Sequence, residues 1–171
     1  MKIKKMRAAD YILYSAVLAL GIFLDQLTKW LAVKFLEPVD TVPIIKNVLH
    51  LTYHTNTGAA FGILSDKRYI FMTVSTVMIV GLATYLYLGF CENRLYGIAI
   101  SMIVSGGIGN MIDRIALGYV VDFIDFRLIN FAIFNGADSF VCVGAGLLVL
   151  ALLLDVVCEA RAKKDPGDLK K

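Results

Sequence analysis

The sequence predicts an all-α membrane protein with a small β element: four transmembrane helices and a small extracytoplasmic sheet. Three observations carry that expectation. Of the 171 residues 58% are hydrophobic and only 18% charged, against about 45–50% and about 25% in soluble domains. Uncharged runs of bilayer-crossing length recur along the chain. Lysine and arginine collect in segments that alternate with the others along the chain. The balance excludes a disordered tail, a nucleic-acid binder built on a basic surface and an ordinary cytosolic enzyme. With three cysteines, a disulfide framework is not expected. The length suits a single integral membrane domain, 1–171.

About 30 Å of hydrocarbon at a rise of 1.5 Å per residue requires about 20 apolar residues. Tyr69 to Cys91 gives 23 residues without a formal charge, Leu95 to Ile112 gives 18, and Ser139 to Leu154 gives 16 behind Asp138. Tyr11 to Leu24 gives 14, and apolar positions around Asp25 and Lys29 extend it to Val33. The predicted spans are 11–33, 69–91, 95–112 and 138–157. Residues 1–10, 92–94 and 159–171 hold ten of the 17 basic groups, so tails 1–10 and 159–171 are expected to be cytoplasmic and the two long connections outside. Leu20-Gly21-Ile22-Phe23-Leu24-Asp25 offers no small-x-small cleavage site, so the first helix reads as retained.

The long connections carry strand signals. Leu49, Leu51 and Tyr53 alternate with His50, Thr52 and His54, and Val120 to Phe126 is rich in β-branched and aromatic residues. A small sheet on the outer membrane face follows.

Acids near spans are costly, by at least ~2.5 kcal/mol at the bilayer centre, and so mark function. Asp25, Asp113, Asp122, Asp125 and Asp138 all fall toward the predicted outer ends. Two carboxylates brought together share one proton, because like charges in contact cannot both ionise. Such a pair hydrolyses an amide without metal: one member takes a proton from water while the other polarises the carbonyl. Asp122 with Asp138 is one such pair, and periodicity alone does not choose it over Asp113–Asp138 or Asp125–Asp138. The same acids would also serve an ion-coupled carrier, but neither a file of acids through the bilayer nor symmetry between halves is evident. A non-catalytic lipid-binding factor is the other alternative.

Five blocks carry a resemblance. Asp25-Gln26-x-x-Lys29, Asn56-Thr57-Gly58-Ala59-Ala60-Phe61, Gly106-Gly107-x-Gly109-Asn110-x-x-Asp113-Arg114, Val120-Val121-Asp122-Phe123 and Phe134-Asn135-x-Ala137-Asp138-Ser139 occur in this order. Together they resemble bacterial lipoprotein signal peptidase, also called signal peptidase II, over nearly the whole chain except the charged tails. The resemblance implies a plasma-membrane aspartic endopeptidase that removes the signal peptide from diacylglyceryl-modified prolipoproteins, cutting before the lipidated cysteine. It implies Asp122 and Asp138 as the catalytic dyad. Asn56, Asn110, Arg114 and Asn135 match polar positions that line the site, and Asp25, Lys29 and Asp113 are expected to support it. A short amphipathic element is implied besides the four helices and the sheet. The expected partners are the prolipoprotein and membrane lipid, with no nucleic acid, cofactor or metal, and the protein is expected to act as a monomer. Two positions depart from the family's habit: Gly62, often serine, and Gly136, usually bulkier.

Several features have plainer readings. Asp113-Arg114 could be an ion pair ending a helix, and Asp125 is expected to be structural. Asn56-Thr57-Gly58 is turn-like. Gly106, Gly107, Gly109, Gly144 and Gly146 read as close helix packing. His50 and His54, on a strand without a third ligand, read as surface histidines. Cys91, Cys142 and Cys158 have no metal or disulfide spacing, and Met72 and Met78 read as packing or lipid-facing residues.

Overall fold

A computed structural model describes residues 6–58, 68–91 and 93–164. In chain order they form α1 (Ala8–Leu36), β1 (Thr41–Ile45), β2 (Leu49–Asn56), α2 (Arg68–Tyr87), α3 (Arg94–Ala116), β3 (Val120–Phe126), a 3-10 turn at Arg127–Ile129, and α4 (Gly136–Lys164). Ala59, Ala60, Phe61 and Gly62 lie outside the described residues, as do the basic residues of the first five positions and the last seven. The expected amphipathic element is not among the described residues.

The helix ends are set by local chemistry. The Arg7 amide donates to the Asp10 carboxyl at the start of α1, and Pro38 stands just beyond its end. At the start of α3 the Asn93 side chain accepts from the amides of Leu95 and Tyr96. At the start of α4 Asn135 and Asp138 cap each other: the Asn135 amide donates to Asp138 Oδ2 at 3.2 Å and the Asp138 amide to Asn135 Oδ1 at 3.0 Å. That reciprocal arrangement satisfies helix-start donors that an apolar medium would otherwise leave unpaired.

Packing makes α3 the central helix. Small residues let its backbone approach its neighbours: Gly106 lies against the Ala137 carbonyl, Gly97 under the Tyr14 ring and Gly109 against the Asp25 carboxyl. Gly144 of α4 sits on the Ala99 carbonyl in the same way. Tyr14, Leu86, Cys91, Ile100 and Val104 form the core where α1, α2 and α3 meet. Gly146 packs against nothing within 4 Å, so the close-packing expectation fails there; it faces away from α3.

The outer helix surfaces are apolar. Ile12, Leu20, Phe23, Trp30, Val77, Met78, Val149, Leu152, Leu153 and Val156 are all exposed. Such a surface suits hydrocarbon rather than water. α1, α3 and α4 are each long and apolar enough to cross a membrane, while the apolar part of α2, Met72–Tyr87, is shorter. The expected span 69–91 is cut back at Tyr87, where the helix gives way to a turn with Gly89 at φ +80°. Arg94, expected in the turn 92–94, is the first residue of α3. There its Nε donates to Asp10 Oδ1 at 2.7 Å, tying α1 to α3. At the same end Tyr96 donates its hydroxyl to Asp155.

At the opposite end the strands form an antiparallel sheet in the order β1-β2-β3. Val121 and Phe123 pack on Ala32 and Leu36 of α1. A bulge between Leu51 and His54 shifts the β2–β3 register, so that Leu51 faces Ile124 but His54 faces Asp122. Side chains alternate with period two, so the extra residue brings Asn56 and Asp122 onto one face. β2 and β3 were expected; β1 was not. His50, expected at the surface, is buried with its Nε2 accepting the Asn47 amide, whereas His54 is exposed.

The glycine packing predicts a contrast. Gly144→Ala would place a Cβ 2.7 Å from the Ala99 carbonyl oxygen and should destabilise by about 1–3 kcal/mol. Gly146→Ala should leave the melting temperature in detergent unchanged or slightly raised.

Candidate active site

The deepest charges sit on α1. Asp25 and Lys29 are one helical turn apart and buried, with 0% and 3% exposure. Lys29 Nζ lies 2.9 Å from Asp25 Oδ2, 3.1 Å from Asp113 Oδ2 and 2.9 Å from Asn110 Oδ1. An ammonium has three donors, and each finds an acceptor here. Gln26 seals the cluster from the side, its Nε2 donating to Asp113 Oδ1 at 3.0 Å and to the Gly109 carbonyl at 3.2 Å.

The two supporting carboxylates reach outward to other elements. Asp25 Oδ1 accepts the Ala137 amide at 2.8 Å, in the first turn of α4. Asp113 Oδ2 accepts the Val121 amide at 3.1 Å, on β3. The cluster therefore fixes the start of α4 and the backbone beside Asp122 with the same two side chains.

Above it lies a tier of asparagines and aspartates. Asp122 accepts Asn135 Nδ2 on Oδ1 at 2.6 Å and Asn56 Nδ2 on Oδ2 at 2.9 Å. Asp138 accepts Asn110 Nδ2 on Oδ1 at 2.8 Å and the Asn135 amide on Oδ2 at 3.2 Å. Asn135 Nδ2 also donates to Asn110 Oδ1 at 3.0 Å. Asn135 thus touches both aspartates. Asn56 is itself held by an Asx turn, in which the Gly58 amide donates to its Oδ1 while Gly58 takes φ +109°. The turn-like reading of Asn56 holds, and its side chain meets Asp122 from that turn.

The chemistry of this tier follows from burial. Asp122 is 1% exposed, and burial pushes its carboxyl from 3.8 up to about 6. The amide donors of Asn56 and Asn135 and the more distant Lys29 charge oppose the rise, while Asp138 adds to it. Lys29 is held by two carboxylates, Asp25 and Asp113, and its charge reaches Asp122 only from a distance, so it does not cancel the effect of burial. Asp122 and Asp138 are joined by a shared asparagine, and the Asp122 carboxyl, raised to about 6, can take up and release a proton close to neutral pH.

The remaining candidates have other principal partners. Asp125 faces Thr52 and Arg127, at 2.8 Å from each. Burial works against its charge, but those two hydrogen bonds outweigh it and hold the carboxyl below the usual range. Arg114 donates to its own helix at the Asn110 carbonyl, 3.3 Å away. Asp113 meets Lys29, Gln26 and the Val121 amide, a larger role than closing a helix with Arg114. Gln26 was quoted in the first motif yet not assigned to the site; its position between two buried charges, on a helix, was the available signal.

Comparison with known proteins gives matches over most of the chain. Residues 17–154 match the sequence profile of the family described as Signal peptidase (SPase) II. The chain is 50% identical over 132 residues to the lipoprotein signal peptidase of Caldanaerobacter subterraneus subsp. tengcongensis, covering 77% of this chain and 90% of that one. It is 44% identical over 146 residues to that of Bacillus subtilis, covering 84% and 95%. A solved structure titled as a bacterial membrane enzyme superposes with a TM-score of 0.77 at 32% identity, covering 100% of this chain and 97% of that one.

A carboxyl raised on folding binds its proton more tightly in the native state. Its stabilising contribution is complete below the unfolded value near 3.8 and disappears as pH rises through about 6. Unfolding free energies measured from pH 4 to 7 should therefore fall more steeply in the parent than in Asp122→Asn, by up to about 3 kcal/mol over that window.

Proposed function

This chain belongs to the signal peptidase II family, and from that premise we propose that Asp122 and Asp138 are the dyad with which it cleaves the signal peptide from prolipoproteins. The observation that carries the reading is Asn135, whose side chain donates to Asp122 while its backbone donates to Asp138. One residue thereby sets the relation between two acids that are 16 positions apart in sequence.

Asp122, with its carboxyl near pH 6, holds the shared proton and donates it to the scissile carbonyl oxygen. Asp138, ionised, takes a proton from water as the water oxygen attacks the carbonyl carbon. The tetrahedral intermediate then collapses as Asp138 returns the proton to the leaving nitrogen and Asp122 regains its own. The amide donors of Asn56, Asn110 and Asn135 hold both carboxyl groups in register throughout. Asp25, Lys29 and Asp113 form the floor of the site, and Arg114 lies at its edge, half-buried, where it can meet the substrate backbone.

The cut falls before a diacylglyceryl-cysteine. Two acyl chains anchor that residue at the lipid boundary, each buried methylene contributing ~0.8 kcal/mol. The site lies where α1, α3 and α4 meet the sheet, a depth that suits a bond so confined. Four spans, with α2 the shortest, put both termini on the cytoplasmic side and the sheet outside, in the bacterial plasma membrane. Arg7 and Arg94 at the far end of the bundle support that orientation. One complete set of residues in one chain supports a monomer.

Purified enzyme with a lipidated precursor tests the dyad directly. Asp122→Asn and Asp138→Asn should each lower kcat by at least about 10³-fold, equivalent to about 4 kcal/mol, without loss of the folded protein. Normal turnover by either variant removes the assignment. The unlipidated precursor should be cleaved far more slowly, and EDTA or 1,10-phenanthroline should leave the rate unchanged.

A further inference from the structure

We propose that Lys29 is a positioning residue of the hydrolysis, acting through the Asn110 carboxamide to keep its nitrogen turned toward Asp138. The inference deepens the dyad reading and rests on it.

An asparagine side chain has two faces of opposite polarity, and a half-turn exchanges them. At Asn110 the oxygen meets Lys29 Nζ at 2.9 Å and Asn135 Nδ2 at 3.0 Å, while the nitrogen meets Asp138 Oδ1 at 2.8 Å. Reversal would set an amide nitrogen against an ammonium and an amide oxygen against a carboxylate. Both contacts would be repulsive in a buried, low-dielectric setting. Asn135 alone would penalise reversal less, because its donor is neutral and is already shared with Asp122. The Lys29 charge therefore makes one amide orientation dominant and strengthens the donor presented to Asp138.

The position of Lys29 suits this task. It is 3% exposed and enclosed by Asp25, Asp113 and Asn110, so its contact with the dyad runs through the Asn110 side chain, beside the distant field it casts on Asp122. Asp25 and Asp113 hold the ammonium in place from α1 and α3, which fixes its distance to Asn110.

A double-mutant cycle tests the route. Full-length K29M, N110A and K29M/N110A are compared with the parent in lipid vesicles, using a lipidated precursor and recording kcat, KM and melting temperature. K29M should lower kcat by at least about tenfold with KM within about twofold. N110A should do the same, and K29M in the N110A background should cause no further fall. A K29M kcat within threefold of the parent overturns the proposal. So does an undiminished K29M effect in the N110A background, or a change in kcat and KM together that tracks a lower melting temperature. If K29M does not fold, the charge-balanced K29M/D113N is compared with D113N, and the same tenfold loss is expected. Asp122→Asn and Asp138→Asn are assayed alongside: normal turnover there defeats the dyad reading, whereas inactive aspartate variants with an ordinary K29M defeat only the role of Lys29.

Discussion

A charge buried in an apolar bundle must be paired and its donors spent, and in this protein that constraint centres on one ammonium group. Lys29 cannot be accommodated without Asp25 and Asp113, and breaking one side of a buried pair is far costlier than never having made it. The two carboxylates in turn have lone pairs left over, which are filled by backbone amides of α4 and β3. Electrostatic necessity at the centre thus becomes geometric order at the periphery. The helices α1, α3 and α4 and the third strand are mutually aligned because their polar groups have nowhere else to go.

The glycines make that alignment possible. Gly109 admits the Asp25 carboxyl, and Gly106 lets α4 approach at Ala137, directly before Asp138. A side chain at either place would displace a hydrogen-bonded group rather than merely a methyl. The sheet contributes differently. Its apolar face rests on α1 through Val121 and Phe123, which leaves Asp122 on the opposite face to meet the asparagines. The intervening alternation is simply that of a strand. Scaffold and site are two faces of the same few residues.

Much of this was legible in the sequence. Uncharged runs located the helices, alternation located β2 and β3, and the five motif blocks located every group in the polar tier. What was illegible had physical reasons. Absence of charge does not register a backbone stop, so the run 69–91 concealed the turn at Gly89. β1 contains Pro43 and shows little burial, so it carries no period-two contrast. Periodicity does not choose among Asp113, Asp122 and Asp125 beside Asp138, because Asp113 sits on α3 and the other two on β3, and which of them approaches α4 is set by packing between elements. Burial of His50 depends on the same sheet. Pairing is a property of register and capping, and neither leaves a periodic trace.

The bulge in β2 has a consequence for how this chain can vary. Between Leu51 and His54 the number of residues matters as well as their side chains. Losing one would leave a regular ladder with His54 still opposite Asp122, but gaining one would turn Asn56 to the apolar side and deprive Asp122 of a donor, even with every motif letter intact. Here spacing counts alongside identity, and an insertion would do harm that no single substitution does.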